Sequence, residues 1–229
     1  MTFIERPMPT DSADICVWRD SISGATVQNE GSGGSTYDLT SSGGVSVDTM
    51  AAPFFSALAT SSQAYLTGNV AQFDMSSGFA ISCWLRTTTV GSLDRVLLKQ
   101  NQSGWTSPQY DTALIFDSSA NLSGGYIGGN VSATGADDVA AGEWVHTGVT
   151  INSAEDTYKF YLRGILIGSD TYSASLGSDN GPWYVGGRAG GDNFQGHIWD
   201  VRIAQTERPL KWFEQSYVRG LRFFGSLYS

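Results

Sequence analysis

The sequence of 229 residues has few charged side chains and few cysteines or histidines, and these shortages exclude several classes of protein. Charged residues make up 15% of the chain, and 22 Asp and Glu outnumber 13 Lys and Arg. The net charge of −9 argues against a nucleic-acid partner, because neutralising phosphates requires clustered Lys and Arg. No apolar run reaches the roughly 18 residues of a membrane-spanning helix, so we expect no membrane insertion.

The N-terminus and the cysteines bear on the compartment. "MTFIERPMPTDSADICVWRD" lacks the basic segment and apolar core of a secretory signal, so no signal peptide is predicted. Cys16 and Cys83 lie in the apolar runs "ICVW" and "ISCWL". Buried free thiols are therefore favoured, and a bridge between the two stays open as the alternative.

Glycine and short runs of alternating polarity are abundant. The 28 Gly, with Asn, Asp and Ser, bound apolar segments of four to ten residues, which is typical of strands and hairpin turns. We predict an all-β, two-sheet antiparallel sandwich, with strands at 79–86, 144–152, 157–163 and 196–203. Helical spacing occurs at Leu210, Phe213 and Tyr217, which predicts one short C-terminal helix. The alternation assigns five residues to the core: Ile81, Cys83, Val149, Ile151 and Tyr161.

Four segments, in this order, carry a family resemblance: "FAISCWLRT", "GEWVHTGVTI", "YKFYLRGILIGS" and "PWYVGGRAGGDNFQGHIWDVRIAQTERP". Together they resemble the concanavalin A-like jelly roll of lectins and glucanases in its laminin-G and pentraxin-like form. The resemblance implies a jelly-roll domain over residues 15–215, preceded by an N-terminal arm at 1–14 and followed by a C-terminal tail at 216–229. It also implies that His146 and His197 are structural.

Catalytic motifs are missing from the sequence. Glucanases of this fold place two carboxylates on one strand face to flank the scissile bond, and no strand here carries such a pair. Neither His-Glu-x-x-His, Cys-x-x-Cys nor Gly-x-Ser-x-Gly occurs. We therefore assign no catalytic residue and predict that the chain is not an enzyme.

Asp200 in "HIWDVRI" is the candidate metal ligand, and alternation along the strand places it on the same face as Ile198 and Arg202. It resembles the C-terminal strand Asp that helps to hold a structural calcium ion in jelly-roll glucanases and carbohydrate modules, and oxygen ligands suit Ca²⁺. The alternative is a surface ion pair with Arg202 or Arg19. A pentraxin-like loop site would involve Asp192 and Asn193.

Trp105, Tyr110 and Tyr126 are the candidate carbohydrate-binding residues, because they lie in or near the polar loop "NQSGWTSPQY". An exposed aromatic ring can stack on a sugar while neighbouring polar groups bind its hydroxyls. The alternative is that these rings fill the core and cover the rims of the sandwich.

The last 28 residues differ in charge from the rest of the chain. Residues 202–229 contain five basic and two acidic side chains and include the apolar run "VRGLRFFGSLYS". The tail is predicted to dock on a neighbouring protein, with Phe223 and Phe224 as anchors and Arg219 and Arg222 setting the register. The alternative is that it folds back as an edge strand.

These observations give three hypotheses of function. The first is a non-catalytic structural protein on a virion surface, such as a bacteriophage decoration or tail-associated protein, held by protein neighbours or by self-association. It would be made in the cytoplasm without a signal peptide; an extracellular location is the alternative. The second hypothesis is a lectin module that binds a cell-surface glycan, and the third is a divergent glycoside hydrolase. Calcium is the one cofactor considered, in a structural role.

Overall fold

The computed structural model describes residues 9–42, 46–51, 55–60, 65–68, 78–89, 95–100, 110–116, 122–123, 126–127, 130–131, 139–171, 183–187 and 194–227. The first strands are β1 (Asp14–Ser23), β2 (Thr26–Asn29), β3 (Leu39–Ser42), β4 (Ser46–Ala51), β5 (Phe55–Thr60) and β6 (Tyr65–Gly68), with a 3-10 turn at Gly34–Tyr37. Next come β7 (Phe79–Thr87), β8 (Arg95–Gln100), β9 (Tyr110–Phe116), β10 (Leu122–Ser123), β11 (Tyr126–Ile127) and β12 (Asn130–Val131). The last elements are β13 (Val145–Asn152), β14 (Thr157–Leu162), β15 (Ile165–Thr171), β16 (Trp183–Val185), β17 (Gly196–Ala204) and helix α1 (Leu210–Leu227).

The strands pair antiparallel in two layers. In one layer β7 lies between β13 and β17, with β14 and β15 beyond β13, and with β1 and β5 paired to different parts of β17. In the other layer β16 lies between β6 and β8, with β3 beyond β6 and β9 beyond β8. This architecture is the predicted all-β jelly-roll sandwich with one C-terminal helix.

The core lies between the layers. Trp183 and Val185 of β16 belong to the same buried cluster as residues of β1, β7, β13 and β17. All five residues predicted for the core are buried, and four of them, Ile81, Cys83, Val149 and Ile151, belong to this cluster, which confirms the period-two alternation there. Tyr161 is the exception, because it lies on the opposite face of β14 and packs against Phe213 of α1.

Both cysteines are buried and free, as the sequence favours. Burial raises the pKa of the Cys16 and Cys83 thiols, because a thiolate would lose its hydration in the core.

Helix α1 covers the outer face of the β7–β13–β14 layer. Phe213 stacks on Tyr161, with 3.9 Å between ring centroids and an interplanar angle of 11°. Gly148 leaves room for this contact, because a Cβ there would lie 2.5 Å from Phe213 Cε1. Gly220 rests against the Trp84 ring in the same way, so glycines set how closely the helix approaches the sheet.

Two sequence predictions need correction. The edge-strand alternative for the tail is wrong, since residues up to Leu227 continue α1 and the predicted boundary at residue 215 falls inside this helix. The predicted grouping of Asp200 with Ile198 on one strand face is also wrong. The β17–β7 register shifts between Trp199 and Arg202, and Asp200 has a φ of 52°, so this bulge adds a residue and turns Val201 into the core.

Candidate functional site

The tight turn that joins β14 to β15 forms one wall of a groove. Arg163 and Gly164 have φ angles of 51° and 75°, the left-handed pair that a two-residue hairpin requires. A side chain at the glycine would meet the helix, because a Cβ there would lie 3.1 Å from both Glu214 Cα and Tyr217 Cβ. The turn therefore rests directly against α1, with Ile165 next to it and 65% exposed.

The outward face of α1 forms the other wall. The cavity between turn and helix, here called the α1 groove, has a volume of about 480 Å³ and is open to solvent. Val218 contributes an apolar surface that is 44% exposed. The polar helix residues of the groove are Lys211, Glu214, Gln215, Arg219 and Arg222.

Tyr217 joins the α1 groove to the packing beneath the helix. Its ring stacks on Trp84 at an interplanar angle of 17° and a centroid distance of 5.8 Å, and it also lines the groove. An aromatic ring held in this way keeps a fixed orientation, which favours stacking against a planar or ring-shaped ligand.

Ion pairs hold two cations of the α1 groove. Arg163 donates to Glu143 through Nε to Oε1 at 3.2 Å and through Nη2 to Oε1 and Oε2 at 3.1 Å each. Lys211 lies 3.3 Å from Glu214 Oε2, and its side chain is 74% exposed. The first arrangement fixes the guanidinium, whereas solvent screens the second pair strongly.

Asp200, the candidate metal ligand, lies in a buried ion-pair network. Its Oδ1 accepts from Arg19 Nε at 2.9 Å, and its two carboxylate oxygens accept from Arg202 Nε at 3.0 and 3.1 Å. Arg19 also pairs with Glu30 at the edge of the network. This is the ion-pair alternative that the sequence left open, although it is buried rather than on the surface.

The network continues to the segment that precedes α1. Arg202 Nη1 donates to Asp14 Oδ2 at 3.0 Å, and Arg208 Nη2 donates to Asp14 Oδ1 at 2.6 Å and to Asp11 Oδ1 at 2.7 Å. The hydrogen bond from Arg208 lowers the pKa of the Asp11 carboxyl. The alternating charges therefore tie β1 to β17 and to the residues that lead into the helix.

A metal site is not assembled by the residues that the structure describes. Within them, no three His, Cys, Asp or Glu side chains are grouped as ligands. The calcium hypothesis for Asp200 stays a prediction, and the loop site at Asp192 and Asn193 lies outside the described residues.

The predicted carbohydrate-binding residues are only partly placed. Trp105 lies outside the described residues. Tyr110 begins β9 and Tyr126 begins β11, and these strands pair through Thr112 and Ile127. Their backbones thus lie on neighbouring strands of one layer, so the assignment to a sugar site stays a prediction.

The four predicted docking residues all fall within α1. Arg219 and Arg222 are exposed on the α1 groove. Phe223 and Phe224 follow in the last turns, where the described structure covers their backbone alone. Helical spacing, rather than an extended tail, therefore sets which of these side chains share a face.

The two histidines lie on neighbouring strands of the sandwich. His146 is 1% exposed and lies 5.2 Å from Trp84 and 6.4 Å from Phe213 between ring centroids. It is packed as predicted, and its Nδ1 is buried with no hydrogen-bond partner among the described residues. His197 is half-buried, 6.4 Å from the Trp144 ring.

A family model described as the concanavalin A-like lectin/glucanases superfamily matches residues 59–211. The chain belongs to this superfamily. Among curated proteins, none is similar to the chain in sequence. No helix within the described residues is long and apolar enough to cross a membrane.

Solved structures share the fold at low sequence identity. Domain 4 of the extracellular arabinanase AbnA from Geobacillus stearothermophilus, in complex with arabinotriose, has a TM-score of 0.61 at 13% identity, with 89% of this chain and 98% of that chain covered. The binding domain of botulinum neurotoxin DC in complex with SialylT has a TM-score of 0.62 at 17% identity, covering 94% and 51%. A Trypanosoma rangeli sialidase mutant displaying trans-sialidase activity has a TM-score of 0.66 at 11% identity, covering 92% and 33%. The chain thus spans about half of the toxin domain and a third of the sialidase.

Sequence reasoning missed most of the α1 groove. Arg163 and Lys211 were not selected, since one lies in a hairpin turn and the other on a helix 48 positions later. The available signals were the Arg-Gly pair between two strand-like runs and the helical spacing of the basic residues that follow.

Proposed function

We propose that the chain is a non-catalytic binding module that holds a glycan in the α1 groove. The observation that carries this proposal is the composition of the groove, which combines the Tyr217 ring and the apolar Val218 and Ile165 with amide, carboxylate and guanidinium groups. Small-molecule sites in proteins combine apolar surface with a few convergent polar groups in this way. The carbohydrate complexes of the arabinanase domain and the toxin binding domain support the assignment at the level of the fold.

A glycan array followed by calorimetry on the best ligand tests this function. Val218→Trp should abolish binding, because the indole fills the groove from an exposed helix position. Leu166→Trp is the matched control: Leu166 is 42% exposed and lies next to the turn but outside the groove lining. If no glycan binds, or if both variants bind as the wild type does, the proposal is wrong.

The non-catalytic part of the proposal is supported by the partners of three carboxylates. The buried Asp14 and Asp200 each accept hydrogen bonds from two arginines. The Asp11 side chain is exposed, and its hydrogen bond from Arg208 lowers the pKa of its carboxyl. A glycosidase acid needs the opposite shift, toward a raised pKa. Laminarin, chitin, peptidoglycan fragments and sialosides should be hydrolysed at background rates. Turnover that disappears when a single carboxylate is replaced would overturn this part.

A second candidate function is that of a virion surface protein, of the decoration or tail-associated kind, held by protein contacts. Exposed apolar side chains in α1 and at the start of β15 favour it: Leu210, Val218, Leu221, Ile165 and Leu166. An extracellular location is the alternative to the virion surface. Sedimentation velocity over a range of concentrations tests association, and Leu221→Lys should weaken it without altering the lining of the α1 groove. A wild-type chain that stays monomeric at every concentration contradicts this candidate.

A further inference from the structure

The charge of the α1 groove is opposite to that of the whole chain. The chain has a net charge of −9 and 22 carboxylate side chains. Among the described residues, four of the 13 basic side chains of the chain line the groove, namely Arg163, Lys211, Arg219 and Arg222, together with one carboxylate, that of Glu214. A local excess of positive charge on an acidic protein indicates a ligand that carries negative charge.

The cations of the α1 groove differ in how strongly a carboxylate already neutralises their charge. Glu143 clamps Arg163 with two carboxylate oxygens, and Glu214 lies 3.3 Å from Lys211 across solvent-exposed helix surface. Within the described part of the chain, no carboxylate pairs with Arg219, and its side chain is exposed. Arg219 therefore has more charge to offer a ligand than Arg163 or Lys211.

Helical spacing brings Arg219 together with Arg222. Residues three apart on a helix are neighbours on its surface, with about 5–6 Å between their Cβ atoms. Each guanidinium presents a planar fork of donors that matches a carboxylate or a sulfate group. The pair can thus approach one anionic group, or two groups on adjacent sugar units.

The rest of the α1 groove suits the uncharged part of a sugar. Ile165 and Val218 supply apolar surface for the C–H face of a ring, and Gln215 supplies an amide beside them that can bind hydroxyls. Three of the cations, Lys211, Arg219 and Arg222, lie on the helix wall, and the fourth, Arg163, lies with Gly164 and Ile165 on the hairpin wall. Both walls therefore offer charge beside apolar surface, which fits a sugar that carries an anionic group as well as an apolar ring face.

We propose that the α1 groove binds an oligosaccharide that carries an anionic group, either a carboxylate or a sulfate, and that Arg219 and Arg222 recognise that group. The inference rests on the proposed glycan-binding function and names the class of glycan. Because the net charge of the protein repels anions at long range, recognition depends on short-range contacts in the groove.

Calorimetry with three probes tests the inference on the full chain: trigalacturonate, a heparin-derived tetrasaccharide and uncharged galactotriose. One or both acidic probes are expected to bind, and galactotriose is expected to bind at least tenfold more weakly. Arg219→Gln and Arg222→Gln should each weaken binding of the acidic probe about tenfold, as expected for the loss of a charge-assisted hydrogen bond. Lys159→Gln is the matched control, since it removes one positive charge from a strand position that pairs with Glu207 outside the groove.

The outcomes separate the inference from the function on which it rests. Equal binding of galactotriose and the acidic probes, blocked by Val218→Trp, would keep the glycan-binding function and overturn the anionic specificity. Acidic binding that both arginine variants leave unchanged would also overturn the inference. If none of the probes binds and no glycan is captured on an array, both proposals fail. Binding of one acidic probe alone supports the inference and identifies the group as carboxylate or sulfate.

Discussion

Lowering the pH from 7.5 to 5.0 should destabilise the protein through His146. Its imidazole is 1% exposed and packs near the Trp84 and Phe213 rings, and in the part of the chain that the structure describes Nδ1 has no hydrogen-bond partner. Burial lowers its pKa from 6.5 to about 3, while the nearby charges of Asp200 and Arg202 act in opposite directions and matter less. The folded state therefore keeps this side chain neutral at a pH where the unfolded chain binds a proton.

The sign and size of the effect follow from proton linkage. Below pH 6.5 the unfolded state binds a proton that the native state does not, so the free energy of unfolding falls as the pH drops from 6.5 toward 3. Each pH unit well below 6.5 is worth about 1.4 kcal/mol. At pH 5.0, about 1.5 units below the unfolded pKa, the expected loss is about 2 kcal/mol.

Urea unfolding at the two pH values measures this loss. The wild type should lose about 2 kcal/mol between pH 7.5 and 5.0, and His146→Gln should remove that dependence whatever its own stability, since glutamine does not titrate. His197→Gln is the matched control and should leave the His146 contribution in place. Unpaired Asp and Glu titrate near pH 4, mostly below this window. The same pH dependence in the wild type and in His146→Gln would refute the reasoning.

Three further predictions concern the ion-pair network, the helix and calcium. Arg202→Leu should lower the free energy of unfolding by about 3–5 kcal/mol, because Asp14 and Asp200 stay buried without that partner; a loss below about 1 kcal/mol in urea unfolding would contradict this. Gly220→Ala should lower the melting temperature and alter near-ultraviolet circular dichroism, because the new Cβ overlaps the Trp84 ring and displaces α1; unchanged spectra would contradict the close packing. If Asp200 holds calcium, thermal melts with calcium and with chelator will differ and Asp200→Ala will remove the difference, whereas identical wild-type melts contradict the hypothesis.

Much of the fold could be predicted from the sequence because its determinants are local. Alternation and turn residues place β7, β13, β14 and β17 to within one residue of their observed ends. The bulge at Asp200 could not be predicted, because it depends on how β17 pairs with β7 on one side and with β1 on the other. The sequence of one strand does not show that a bulge will add a residue, because the bulge forms only when strands pair. A strict period of two therefore assigned Ile198 and Asp200 to one face.

The α1 groove shows why the site was harder to predict than the fold. Arg163 lies in the groove because it is part of the two-residue, left-handed turn between β14 and β15. Arg219 lies there because α1 buries Phe213 against Tyr161, which leaves the opposite side of the helix facing outward. Neither local preference concerns a ligand. Gly164 lets the two walls approach closely, because a Cβ there would lie 3.1 Å from Glu214 Cα and Tyr217 Cβ. A replacement at Gly164 should therefore weaken ligand binding and lower stability. Lys159→Gln should change neither appreciably, because Lys159 belongs to a solvent-exposed ion pair with Glu207.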